Sequence, residues 1–196
     1  MPLAVLEAVR NLDTPVEDGL TEFAEELLSK RLGLSPTVAM QLAEYEGLVR
    51  KNARVGRSHV EALLRLVGRR PDAELVFSEA GRRAARRGVA KLGLLSRVGT
   101  NAAPRALGFR AARGIARRVL GADLHKDAQI PVASVADTLA LVATPDGSAC
   151  TFYGAALAEL LRLLVGLEVA MVHTSCRANG GVHCEWRAAA ADPWHS

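Results

Sequence analysis

The chain has 196 residues, 49% of them hydrophobic and 23% charged, with a net charge of +4. That length supports one sizeable hydrophobic core, and the composition is ordinary for a globular protein. Aromatic residues make up only 4%, which argues against a nucleic-acid reader built on stacking platforms.

The N-terminal third reads as helices. Its first residues, MPLAVLEAVRNLD, carry acids at Glu7 and Asp13 and no basic region ahead of an apolar run, so no signal peptide is expected. Thr14-Pro15-Val16-Glu17 is a helix start signal: Thr as N-cap, Pro at the first helical position, Glu closing a capping box. Val16, Leu20, Phe23 and Leu27 follow at helical spacing. Ser35-Pro36 opens a second helix, with Val38, Leu42, Tyr45 and Val49 on one face. Ser58 and Glu61 suggest another capping box, ahead of the stripe Val60, Leu63, Leu64 and Val67. GRRPD, from Gly68 to Asp72, breaks this run.

A helix rich in Ala and Arg is expected from Ser78, containing Gly81 and Gly88. Gly93 to Ala112 is poorly patterned and reads as loop plus short helix, and Ile115 to Leu120 suits strand or helix. No acid occurs from Ala80 to Ala122. Arg82, Arg83, Arg86, Arg87, Arg113, Arg117 and Arg118 are therefore candidate anion-binding residues, for nucleic acid or an anionic surface. A charge run is more often a solvated face, and this one can equally pair with Glu17, Glu22, Glu25 and Glu26 near the N-terminus. The Gly81 to Gly88 stretch is not a P-loop, because it lacks the Gly-Lys-Ser/Thr ending.

After Pro131 the pattern changes. Ala133 to Thr144 is apolar and partly β-branched and reads as a strand, followed by the turn Pro145-Asp146-Gly147-Ser148. An amphipathic helix is expected over about Thr151 to Gly166, with Leu157, Leu160, Leu161 and Leu164 at helical spacing and Gly166 as C-cap. Phe152 and those four leucines are candidates for lining an apolar ligand pocket; the same side chains can simply fill a core. The most apolar stretch, Ala155 to Val172, is interrupted by Glu159, Arg162 and Glu168 and reads as too polar to span a membrane. GLEVAMVHTSC and VHCEWRAAA read as two strands joined through Gly180-Gly181. The expected fold is α+β: an antiparallel sheet with helices packed on one face, preceded by a helical N-terminal region. Residues 1–70 form that helical region and 71–190 the α+β part, as two units or as a single domain.

Three cysteines are an odd count, a poor fit to a secreted disulfide framework. In a reducing compartment clustered cysteines are more often metal ligands or redox thiols. A hairpin centred on Gly180 puts Cys176 opposite Cys184, with Cβ atoms roughly 4.5–5.5 Å apart. Two such thiolates can share a tetrahedral zinc. His173 precedes Cys176 by three residues, so both can face one site only if the strand bends or ends between them. Cys150, at the start of the preceding helix, completes a candidate set of Cys150, His173, Cys176 and Cys184. A helix N-terminus also favours a thiolate. His183 competes for the fourth position but neighbours Cys184 and should face the other way. Inert buried cysteines and a reversible cross-strand disulfide remain open alternatives.

The stretch ACTFYGAALAELLRLLVGLEVAMVHTSCRANGGVHCEWRAAA resembles the C-terminal half of the vinyl-4-reductase domain family. That family carries a Cys before a Gly-containing helix, a strand ending in Glu-x-x-Cys, a Gly-containing turn, and a last Cys followed by an aromatic. Here these are Cys150, Gly154, Cys176, Gly180 with Gly181, Cys184 and Trp186; His173 stands in place of the acid. SEAGRRAARRG resembles the family's Gly-rich helix. The likeness covers about residues 146–188 and is faint over 72–145. It implies a fold shared with haem-based nitric-oxide sensors and a vesicle-tethering subunit, and a structural zinc. It also implies a small-molecule or hydrocarbon-binding sensor domain, often dimeric. No Ser/His/Asp arrangement, paired carboxylates or cofactor motif is visible, so no enzyme is expected. The expected protein is a cytoplasmic, zinc-stapled signalling or adaptor domain, with a protein-interaction or assembly module as the second reading.

Overall fold

Pro2 supplies the first helical position of α1 (Pro2–Asp13), whose Leu3, Ala4, Val5, Leu6, Ala8 and Val9 are all buried. A helix this apolar has to sit inside the fold, and α1 packs on α4 (Ala73–Ala90). The computed structural model describes residues 1–14, 35–51, 53, 55–92, 105–136 and 139–190. The helix expected from Thr14-Pro15 lies outside the described residues, as do Glu17, Glu22, Glu25 and Glu26. Helix α2 (Pro36–Arg50) starts as expected: the Ser35 side chain accepts a hydrogen bond from the Val38 N–H, and Val38, Leu42 and Tyr45 are buried.

Helix α3 (Arg57–Gly68) buries the expected Val60, Leu63, Leu64 and Val67. It begins earlier than Ser58, however, with Gly56 at the N-cap and no side-chain cap, so the Ser58–Glu61 capping box does not form. Helix α4 likewise starts at Ala73 rather than Ser78, because Val76 and Phe77 are fully buried and extend the inward face by more than a turn. That face continues through Ala80, Gly81, Ala84, Ala85 and Gly88. Its small residues let α4 lie against α7 (Thr151–Val165). A Cβ at Gly81 would collide with the Phe152 carbonyl oxygen and stand 3.0 Å from the Ala156 nitrogen. Helix α5 (Arg105–Ile115) runs into a π-helical turn, Ala116–Leu120, so residues 115–120 are helical.

The strand expected over Ala133 to Thr144 is not formed as such. Strands β1 (Asp123–Asp127) and β2 (Ile130–Val135) make a hairpin, and Leu139–Ala143 is a short helix, α6. Ala140 and Ala143 are both buried at helical spacing, and the Thr144 hydroxyl donates to the Ala140 carbonyl at 2.8 Å. Strands β3 (Val169–Ser175) and β4 (Cys184–Ala190) complete an antiparallel sheet of order β1-β2-β4-β3. Leu124, Ala133, Val135, Met171, Cys184 and Trp186 face the core, whereas Val172 on the opposite face is exposed. This is the expected α+β architecture, with helices on one face of an antiparallel sheet and a helical N-terminal region.

Helix α7 is the centre of the fold. It touches α4, α5 and β3, ends at Gly166 in the left-handed conformation (φ 69°), and fully buries Leu157, Leu160 and Leu161. Each such leucine contributes roughly 1.5–3 kcal/mol relative to exposure. By length and composition alone Ser148–Val165 could cross a membrane. Its apolar surface is instead covered by the neighbouring helices and the sheet.

Candidate metal centre

Three chain segments deliver the four candidate ligands. Cys150 closes the 3-10 turn Ser148–Cys150 and lies at the N-cap of α7, almost fully buried. The turn is held locally. Asp146 Oδ1 accepts from the Ser148 N–H at 3.2 Å, and Thr144 Oγ1 accepts from the Ala149 N–H at 3.2 Å. His173 lies on β3, and Cys176 follows that strand's end. Cys184 opens β4 and pairs with Val135 of β2.

The strand irregularity that the His173/Cys176 spacing demanded is present. His173 pairs with Trp186 and Ser175 with Glu185, so Thr174 is an extra residue on β3. The bulge resets the alternation and brings both side chains to one side. The connection to β4 is not a tight two-residue turn. It is a knuckle: the 3-10 turn Arg177–Asn179, Gly180 at φ 84°, and Gly181. The Asn179 and Gly181 N–H groups both bond the Cys176 carbonyl, at 3.1 and 2.9 Å. A Cβ at Gly181 would stand 2.6 Å from Ser175 Oγ and 2.9 Å from the Cys176 oxygen. Arg177 ties the knuckle to the end of β2 through the Ala136 carbonyl, at 2.6 Å.

The result is a cluster of Cys150, His173, Cys176 and Cys184 whose ligating atoms all lie within 4.8 Å of one another. Tetrahedral zinc with Zn–S bonds of about 2.3 Å needs its ligand atoms roughly 3.7 Å apart, so small side-chain adjustments close the shell. All three cysteines are free thiols. His183 is not in the cluster; its Nε2 sits 3.4 Å from Glu185 Oε2.

The electrostatics suit a cation. Burial, with the neighbouring Cys184 and Cys176 thiols, pushes the Cys150 thiol far above its ordinary range. Burial also raises the Cys184 thiol, against a lowering hydrogen bond from the Arg177 backbone. Burial lowers the His173 imidazole, keeping it neutral as a ligand must be, against a hydrogen bond with the Ser175 backbone. His173 Nε2 is buried with no hydrogen-bond partner among the described residues. Leaving such an atom unsatisfied costs about 1–3 kcal/mol, and a metal ion removes that cost. The imidazole is also oriented: it stacks on the Trp186 indole, which in turn contacts Tyr153. A groove of about 570 Å³, lined by residues including Ser78, Arg82, Cys150 and His173, gives a route from solvent to the cluster.

The other candidate residues do not gather into sites in this way. Phe152, Leu157, Leu160, Leu161 and Leu164 are buried core residues. The arginine run divides in two. On α4, Arg82 and Arg83 pair with Glu79, Arg86 with Glu159 at 2.7 Å, and Arg87 with Glu7 at 2.6 Å. Arg113, Arg117 and Arg118 are exposed and make no ion pair among the described residues.

The sequence reading did not mark Thr144 or Asp146 as part of this centre, although the Pro145–Ser148 turn signal pointed at the segment that holds them. Fold and cluster together define an α+β protein with a Cys3His cluster that could hold a metal ion. Compared with protein-family models, curated proteins and solved structures, the chain matches none.

Proposed function

We propose that this protein is a non-catalytic, zinc-stapled binding domain, a sensor or adaptor that takes up a small molecule rather than transforming one. The observation that carries this reading is the convergence of Cys150, His173, Cys176 and Cys184 to within 4.8 Å. Three thiolates and an imidazole fill all four positions of a tetrahedral zinc and leave none for water or substrate, which is the pattern of structural sites. The ion would join the start of α7 to the end of β3 and the start of β4, two strands already hydrogen-bonded to each other. The motif likeness to vinyl-4-reductase domains supports the same assignment, with His173 serving where an acid stands in that pattern. Metal analysis of freshly purified protein beside Cys176→Ser tests it. One zinc per chain in the wild type, lost together with stability in the variant, is expected. Freshly purified wild type without metal removes the staple.

A second reading is binding of a polyanion. It is favoured by the exposed Arg113, Arg117 and Arg118, which among the described residues lack the carboxylate partners that Arg86 and Arg87 have. DNA binding with a steep salt dependence supports it; no binding at low salt removes it.

A further inference from the structure

A mainly apolar cavity lies in the N-terminal helical layer. It measures about 380 Å³ and lies between α1, α2, α3 and α4. Leu3, Val49, Val60 and Ala84 line it. It opens to solvent beside the exposed Lys91, and its size falls within the roughly 300–1,000 Å³ range of small-molecule sites.

Among the described residues the ionisable groups lining this cavity are the Met1 amine, Arg87, Lys91 and Tyr45; burial first, then Arg87, lowers the pKa of the Met1 amine to about 6. Ala84, Arg87, Gly88 and Lys91 all line it, and their spacing puts them on one face of the C-terminal half of α4. The small pair opens the space and the cationic pair borders it. Arg87 offers Glu7 only its Nη2, leaving Nε and Nη1 without partners among the described residues. Lys91 is exposed and makes no ion pair among the described residues. Tyr45 also lines the cavity, and its hydroxyl has no hydrogen-bond partner among the described residues. Among the described residues no acid lines the cavity.

We propose that this cavity binds a small aliphatic carboxylate. Its tail lies among Leu3, Val49, Val60 and Ala84, and its carboxylate is met by Lys91 and Arg87, with the Tyr45 hydroxyl as an added donor. The inference rests on the small-molecule-binding reading above and names the class of ligand and the place where it binds. An apolar wall supplies most of the affinity, and the cations select the charged head.

Calorimetric titration of the zinc-loaded full chain with hexanoate, octanoate, decanoate and decanol, below their aggregation limits, tests the proposal. Saturable binding of one carboxylate per chain is expected, tightening about fourfold per added methylene until the cavity is full. Lys91→Met should weaken decanoate at least severalfold while sparing decanol. Val49→Phe, which fills the space, should weaken both ligands, with zinc content and helicity confirming that the variant folds. No saturable carboxylate binding overturns the proposal, as does binding indifferent to chain length or unaffected by both variants. Decanol binding without decanoate binding overturns the carboxylate assignment but keeps a small-molecule domain. One equivalent of zinc with neither ligand bound removes the cavity assignment and leaves the staple intact.

Discussion

The His173 imidazole lies flat on the Trp186 indole, ring centroids 4.6 Å apart and planes 8° from parallel. The two residues face each other across β3 and β4, one residue before the bulge that turns Cys176 inward. The stack fixes the ring that must present a nitrogen to the cluster, and it joins the cluster to the aromatic column of Trp186, Tyr153 and Phe152. Groups that orient a metal ligand without touching the metal commonly matter 10–100-fold for affinity. Trp186→Leu should therefore weaken zinc about tenfold or more in competition with a chromophoric chelator, with all four ligands still in place. In a Trp194→Phe background, chelation should shift the Trp186 emission. Unchanged affinity in Trp186→Leu would remove the orienting role.

Stripping the metal is expected to act on stability as well as on occupancy. A ligand held at a thousand times its dissociation constant stabilises the fold by about 4 kcal/mol. For a chain of this length that is roughly 10 °C in Tm. Chelator-treated wild type should melt about that much lower than zinc-loaded protein. Cys150→Ser and Cys184→Ser should match the stripped wild type and no longer respond to zinc. A thermal scan with and without chelator settles it: equal melting points would mean that the cluster staples nothing.

The cluster was legible in the sequence because each of its constraints is local. The Pro145–Ser148 turn, the i, i+3, i+4 leucines and the Gly180-Gly181 pair place a helix start and a hairpin where Cys150, Cys176 and Cys184 can meet. The spacing of His173 and Cys176 already required a bend. What stayed hidden was non-local or lacked a periodic signal. In β1 only Leu124 of Asp123–Asp127 is buried, so there is no alternation to read. LALVA suits strand and helix alike, and tertiary burial of Ala140 and Ala143 decides for helix. The partners of Arg86 and Arg87 lie 73 and 80 residues away in sequence, and no local rule reaches that far. The leucines of α7 carry no mark that separates a filled core from a pocket.

Glu159 gives the fold an acid-sensitive tie. It is a nearly buried carboxylate on α7, bonded to Arg162 at 2.8 and 2.9 Å and to Arg86 of α4 at 2.7 Å. The Arg162 bond first, and then the Arg86 bond, hold its pKa down to about 2 against the opposing effect of burial. A carboxylate depressed in the fold adds stability that is complete above its unfolded value, near pH 4.5, and is lost as pH falls toward 2. Both arginines are about half exposed, so the contribution is of order 2 kcal/mol rather than the full value of the shift. Glu159→Gln should therefore melt lower than wild type at pH 6, with the gap narrowing as pH drops below about 4.5. A gap that is constant down to pH 3 would contradict this assignment.

Arg70 does for the N-terminal layer what Glu159 does for α4 and α7. Its guanidinium bonds Asp13, at the end of α1, at 2.7 and 3.0 Å, and Asp72, ahead of α4, at 2.7 and 2.8 Å. The GRRPD break between α3 and α4 is thus a clamp on α1. Asp13 is nearly buried, and charge-assisted bonds to such a group are worth about 1.5–3 kcal/mol. Arg70→Ala should cost about 2–3 kcal/mol by urea unfolding. Asp72→Asn should cost less, because Asp72 is more exposed than Asp13. Hydrogen exchange in α1 should rise selectively in Arg70→Ala. If α1 exchange is unchanged, the clamp does not hold that helix.

The β1–β2 turn is the one place where the described backbone works against its residues. Asp127 pairs with Ile130, and the two residues between them, Ala128 and Gln129, have φ of 46° and 71°. A two-residue turn with both positions left-handed matches the twist of the flanking strands and ordinarily uses Asn-Gly. An alanine or glutamine there costs roughly 1–2 kcal/mol per residue, because Cβ crowds the following carbonyl. Ala128→Asn with Gln129→Gly should relieve most of that cost, offset in part by the greater freedom of glycine in the unfolded chain. A net gain of about 1 kcal/mol is expected. It should appear as a higher urea midpoint with an unchanged slope, and zinc stoichiometry should stay the same because the turn is outside the cluster. A destabilised double variant would mean that Ala128 and Gln129 make contacts that outweigh the backbone strain.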